Sequence, residues 1–318
     1  MRSIEALLLV ALAWSAGARA QQPVAAQGFA VERLYTSGPG AGWFVMDDLR
    51  LSGGLGGAAA VVLGYARRPL EVSSGGQRLG VVSDQAFAEL GLAVTYSRFR
   101  FYLNFDGPIV FSGESGQIGG FQFTAPSTNL QQNPDTISDP RIGVDARLFG
   151  EASSSFRLGA GAQLIVPSGA RADYLSDGDY RAMVRLLFAG DLGRYTWAGQ
   201  AGVHLRPRDD GAVPGGPRGS ELLFGLAGGA KFDGLAIGPE IYGESAFKSL
   251  FGAQTTGLEA LLGVRFEGAR ADQVHYRFKL GVGGGLVPRF GAPEFRVVAG
   301  LRRSREMTRP CSRKEDRR

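Results

Sequence analysis

Val274, Tyr276, Phe278, Leu280 and Val282 alternate with His275, Arg277, Lys279, Gly281 and Gly283. Successive strand side chains point to opposite faces, so this stretch predicts a strand with one greasy face and one charged or bare face. The pattern recurs along most of the chain. Phe99, Phe101, Leu103 and Phe105 alternate with arginine, tyrosine and asparagine; Ile142, Val144, Ala146 and Leu148 alternate with Arg141, Gly143, Asp145 and Arg147. Phe156–Leu164, Tyr195–Leu205 and Leu258–Phe266 repeat it. Segments of about ten residues with this alternation are the mark of a transmembrane β-barrel strand, greasy towards lipid and polar towards the lumen.

Strands are predicted at 51–66, 84–97, 98–110, 139–149, 154–167, 179–192, 194–206, 219–232, 234–245, 255–267, 274–286 and 293–301. The fold class expected is therefore all-β: a closed antiparallel transmembrane β-barrel of about twelve strands. Most connections alternate in length, as in outer-membrane barrels, while the last two, 268–273 and 287–292, are about equal. The longer ones are 67–83, 111–138, 168–178, 207–218, 246–254 and 287–292, against tight turns such as Ser97-Arg98 and Gly193. With both chain ends on the periplasmic side, the longer connections fall outside. Unpaired backbone in hydrocarbon costs several kcal/mol, so lipid-facing strands must close on themselves. Tyr65, Tyr96, Tyr180, Tyr195 and Trp197 lie near strand ends, where aromatic girdles sit.

The start of the chain changes the picture. Arg2, the apolar run Leu7–Trp14 and Ala18-Arg19-Ala20 read as a signal peptide over 1–20. Residues 21–50 are expected to form a periplasmic lead-in segment, 51–301 the outer-membrane barrel, and 302–318 a disordered basic tail. That tail carries eight basic and three acidic residues, which equals the whole chain's formal charge of +5. The body is close to neutral, so the basic pI implies no nucleic-acid partner. The single cysteine, Cys311, excludes an intramolecular disulfide.

The phrases GPGAGWFVMDDL, SDPRIGVDARLFG, LIVPSGARADYLSDG and RGSELLFGLAGGAKF together resemble the barrel portion of large OmpA-family outer-membrane proteins and transporter-like barrels of the hydrocarbon-uptake type. The resemblance spans Gly28 to Leu301, and its motifs are structural. It implies location in the bacterial cell outer membrane. Such proteins typically continue into a peptidoglycan-binding domain, which the short polar sequence after Leu301 does not supply.

Enzyme chemistry finds little support. The two histidines, His204 and His275, lie on lumen faces, and His204 has Asp209 and Asp210 close in sequence. No Cys/His metal spacing exists, and Ser176–Asp179 and Asn133–Asp139 lack EF-hand spacing. The glycine runs lack the strand-to-helix setting of a phosphate loop and read as sheet curvature or lumen space. No enzyme activity, cofactor or metal is expected, and the expected partners are outer-membrane lipid and small solutes.

The lumen face is the informative one. Arg98, Arg100, Asp145, Arg147, Arg157, Arg181, Arg185, Glu259, Arg265, Arg277 and Lys279 are the expected pore-lining residues. Two readings follow. The charges pair across a narrow lumen and fill it, giving a structural barrel, or they ring an aqueous path that favours anions. A narrow channel or uptake barrel for small solutes ranks first, a structural outer-membrane protein second, and a barrel-embedded hydrolase third.

Overall fold

The computed structural model describes residues 23–306 except 52, 135, 272–273 and 288–290. The expected signal peptide and residues 307–318 lie outside the described residues. Among the described residues fifteen strands occur in chain order: β1 (Val24–Ala25), β2 (Leu55–Ser74), β3 (Gln77–Tyr96), β4 (Phe99–Ser112), β5 (Gly116–Ile118), β6 (Phe121–Phe123), β7 (Arg141–Phe149), β8 (Arg157–Ile165), β9 (Arg181–Leu192), β10 (Tyr195–Leu205), β11 (Glu221–Phe232), β12 (Leu235–Ala246), β13 (Thr256–Ala271), β14 (Val274–Val287) and β15 (Phe295–Glu306). Twelve of them form one closed barrel, and β15 pairs antiparallel with β2 to seal it. The short β1, β5 and β6 form a separate three-stranded sheet beside the longer connections.

Every barrel strand pairs with its chain neighbour in the barrel, which is the register the alternation dictates: a slip of one residue would turn every apolar side chain inward. Leu63, Leu92, Phe101, Ile142, Leu186 and Leu262 all stand exposed on the outer wall. An apolar belt of this extent is far larger than soluble proteins leave in water and suits lipid. Near the tight turns the aromatic rings Phe149, Phe156, Trp197 and Phe188 touch in succession.

Three expectations are corrected. The connection 67–83 is not a loop: β2 and β3 continue as a hairpin to a Gly75-Gly76 turn, both at positive φ. The strand carries Pro69 at a register irregularity and then buries Leu70 and Val72. The basic tail does not begin at residue 302, because β15 runs to Glu306 against Gly56–Ala60. Its arginines alternate as strand residues do, with Arg302 buried and Arg303 exposed. Finally, the lead-in segment is not outside the barrel.

Residues 28–49 of that segment fill the lumen. Every residue from Gly28 to Leu49 is buried or half-buried, although the stretch is almost devoid of regular structure. It starts among the longer connections, where Phe29 and Val31 pack with Leu70, Val82, Phe111 and Tyr174. It then descends through the barrel, burying Leu34, Trp43, Phe44, Val45 and Met46 against inward side chains such as Phe87, Tyr242 and Leu261. It leaves at the tight-turn end to begin β2. The described chain therefore starts at the loop end of the barrel and finishes at the turn end, not with both ends on one side.

Inward glycines make the seat. A Cβ at Gly281 would lie 2.9 Å from the Phe44 ring, one at Gly229 2.8 Å from Trp43, one at Gly159 2.8 Å from Leu49 and one at Gly91 2.6 Å from Pro39, while Gly225 faces Met46. The lumen glycines thus hold the volume of the arm's side chains, since interiors pack without spare space.

Candidate functional site

The arm is irregular backbone in a space without bulk water, so each of its N–H and C=O groups needs a partner. The barrel wall supplies them. Glu240 accepts from the amides of Phe44 (2.7 Å), Val45 (2.9 Å) and Met46 (3.3 Å). Lys279 donates to Trp43 O (2.6 Å), Arg277 to Ala41 O (3.0 Å) and Arg302 to Gly40 O (2.5 Å). Arg157 Nε donates to Asp48 O (2.9 Å), and Arg147 Nη1 to Leu49 O (3.2 Å) and Leu51 O (2.7 Å). Arginine suits this role because its rigid fork carries five donors and keeps its charge.

Ion pairs complete the seat. Asp47 of the arm and Asp145 of β7 both accept from Arg100. Arg185 reaches Asp145 (3.3 Å) and the Tyr102 hydroxyl (2.9 Å). Arg141 binds Glu89 and the Thr36 side chain. Arg33 bridges Glu221 and Glu244, and Arg296 bridges Glu259 (2.6 Å) and Glu32 (3.0 Å). Arg181 pairs with Asp139 (3.0 Å) and meets the Tyr35 hydroxyl.

Of the expected pore-lining residues, Arg100, Asp145, Arg147, Arg157, Arg181, Arg185, Glu259, Arg265 and Arg277 are buried in the interior, and Lys279 is half-buried there. All ten touch the arm or a partner of it. Arg265 lies over the Trp43 ring (5.6 Å) and beside Glu267 (3.1 Å), and Glu259 is held by Arg296. Arg98 stands apart, exposed in the turn between β3 and β4. What the sequence reading missed is the other half of each pair: Glu32, Arg33 and Asp47 in the arm, and Glu89, Arg206, Glu221 and Arg296 on the wall. One signal was present. The run Trp43–Met46 is apolar without alternation, so it cannot be a half-exposed strand, and Asp47-Asp48 follows it directly.

His204 is fully buried, with Nδ1 3.5 Å from Glu221 and 3.6 Å from Glu244. Asp209 and Asp210, its sequence neighbours, pair instead with Lys248 and Arg208. One ligand atom from each of His204, Glu221 and Glu244 falls within a 4.8 Å cluster, a spacing a divalent cation could use. The Arg33 guanidinium already sits on both carboxylates there. The acids of the suspected calcium loops are likewise taken by arginines: Asp177 by Arg206, Asp179 by Arg208 and Asp139 by Arg181. Burial alone would raise the Asp177 carboxyl, but Arg206 and Arg181 outweigh it and hold the group well below its usual range.

Space inside is distributed unevenly. Two gaps flank the arm in the loop-side half, each of about 40 Å³: one beside Tyr35, Met183 and Leu223, the other beside Leu34, Phe87 and Ile165. At the turn end an open vestibule of about 790 Å³ has Pro39 and Gly40 of the arm among its lining residues.

No protein-family model matches the sequence, and no curated protein matches it. Solved structures do. The COG4313 outer membrane channel from Pseudomonas putida F1 is similar with a TM-score of 0.52 and 13% identity, over 79% of this chain and 95% of that one. The NanC porin gives a TM-score of 0.47 at 8% identity, over 78% and 100% of the two chains. A Pseudomonas aeruginosa FadL homologue gives 0.41 at 9% identity, over 90% and 100%. The fold is thus that of an outer-membrane channel barrel, a closed antiparallel barrel of twelve strands.

Proposed function

We propose that this chain is a barrel of the bacterial outer membrane that takes up small solutes through a narrow lumen gated by its own N-terminal arm. The observation that carries the reading is the nature of the filling. The arm is a single irregular strand of chain, held by hydrogen bonds and ion pairs to the wall, with an open vestibule beneath it. A local shift of the arm opens a path while the closed sheet stays intact. The likeness in fold to a named outer membrane channel supports the reading. The phrases behind the resemblance to OmpA-family and uptake-type barrels include the arm itself and several of its seats: Asp145, Asp177 and Glu221.

Glu240→Ala tests it. The substitution removes the acceptor of three arm amides, and charge-assisted hydrogen bonds contribute about 1.5–3 kcal/mol each. In planar bilayers the native barrel is expected to give small, mostly closed conductance, and Glu240→Ala a several-fold higher open fraction. Silence from both proteins would instead favour the second reading, a structural outer-membrane barrel. The paired charges and the two 40 Å³ gaps favour that alternative. Hydrolysis is the weakest reading, because the acids around His204 are engaged by Arg33.

A further inference from the structure

The turn-side vestibule differs from the other gaps in the sign of its charge as well as its size. Five Lys or Arg side chains line it against three carboxylates, whereas the two loop-side gaps have two arginines against two and three acids. Its carboxylates are also shared. Asp191 serves Arg50 (2.6 Å), Lys231 (2.7 Å) and Arg157 (2.8 Å), and Glu267 serves Arg277 (2.8 Å) and Arg265 (3.1 Å). Arg302 and Arg305 make no ion pair among the described residues. Arg302 is 9% exposed; one of its nitrogens holds Gly40 O, and its Nε has no hydrogen-bond partner. Buried Arg265 Nη1 is likewise without one.

Glu267 and the arm's Asp48 are the acids that act on Arg265, Arg277 and Arg302, and two carboxylates among three shielded guanidinium groups leave an excess of positive charge that is costly to bury. We propose that the vestibule is a binding chamber for a small oxyanion, a carboxylate or a phosphate, seated on Arg277 and Arg302 with Arg305 at its rim. The planar guanidinium fork matches both anions with paired hydrogen bonds. Arg277 and Arg302 also hold the arm at Gly40 and Ala41, so an anion there competes for the same donors and loosens the arm from below. The inference deepens the uptake reading and rests on it for the route by which the anion travels.

Calorimetric titration of the purified barrel in neutral detergent with sodium benzoate, with inorganic phosphate and with neutral benzyl alcohol tests the chamber. Saturable binding of at least one oxyanion is expected, with none for the alcohol. Arg302→Gln should weaken it tenfold or more. Arg305→Gln, which leaves the arm's contacts in place, should weaken it several-fold. Arg68→Gln at the opposite rim should leave it unchanged, with heat-modifiable gel mobility checking that each variant is folded. Benzoate binding alone would identify a carboxylate chamber, and phosphate binding alone a phosphate one. No saturable oxyanion binding by the native barrel, or equal binding by Arg302→Gln and Arg305→Gln, overturns the proposal. Anion binding without conductance would remove the uptake reading and keep the chamber; conductance without anion binding would do the reverse.

Discussion

The two halves of the lumen are built from the same residue types to opposite ends. In the loop-side half, Arg33, Arg141, Arg181, Arg206 and Arg296 each meet an acid, and the gaps left hold about 40 Å³. In the turn-side half cations share too few acids, and about 790 Å³ stays open. A charged lumen is therefore not in itself a pore. Opposite charges in matched number, with chain to fill the volume, make a closed seat; an excess of one sign keeps water and invites a counter-ion.

The largest effect is expected from breaking the closed half. Arg141→Ala leaves Glu89 buried without its cation, close to Asp106, and removing one member of a buried pair costs about 3–5 kcal/mol. The temperature at which the folded gel band disappears should fall markedly, and the loop-side half should become permeable to water-soluble probes. An equal Arg→Ala effect at exposed Arg98 would show that the pairing is not what matters.

Gly225→Leu sharpens the comparison by changing volume and leaving charge alone. The new side chain would claim the space of Met46, and overpacking of this kind costs roughly 1–3 kcal/mol. The expected result is a displaced arm in an intact barrel: raised conductance with folded gel mobility retained. Loss of the folded band would mean that the arm and the wall stand or fall together.

The smallest effect concerns pH. Asp177 accepts from Arg206 (2.5 and 2.6 Å) and from the Ala30 amide (2.9 Å), anchoring the upper arm to the β8–β9 connection. Its folded carboxyl is held below the ordinary range. Stabilisation is therefore complete above the unfolded value of about 4. It is lost as pH falls from there towards the folded value, by at most about tenfold per pH unit for one proton. Protease cleavage near Gly28 should rise over that acid window in the native chain. Asp177→Asn should show the raised cleavage already at neutral pH and no acid dependence from this group.

The alternation from Phe99 to Phe105 or from Val274 to Val282 fixes strand, facing and closure, because a period of two admits no other burial and lipid enforces it locally, residue by residue. Twelve strands were legible for that reason, as was the inward direction of Arg100, Arg157 and Arg277. The partner of each inward charge was not. Arg100 meets Asp47 across 53 positions, and Arg33 meets Glu244 across 211, so nothing in the local pattern announces them. Residues 28–49 have no period at all, and apolar Trp43–Met46 could as well have packed elsewhere. Only closure of the barrel creates the dry, arginine-lined volume that makes an irregular arm affordable, and only there does a row of basic residues divide into a sealed half and an open one.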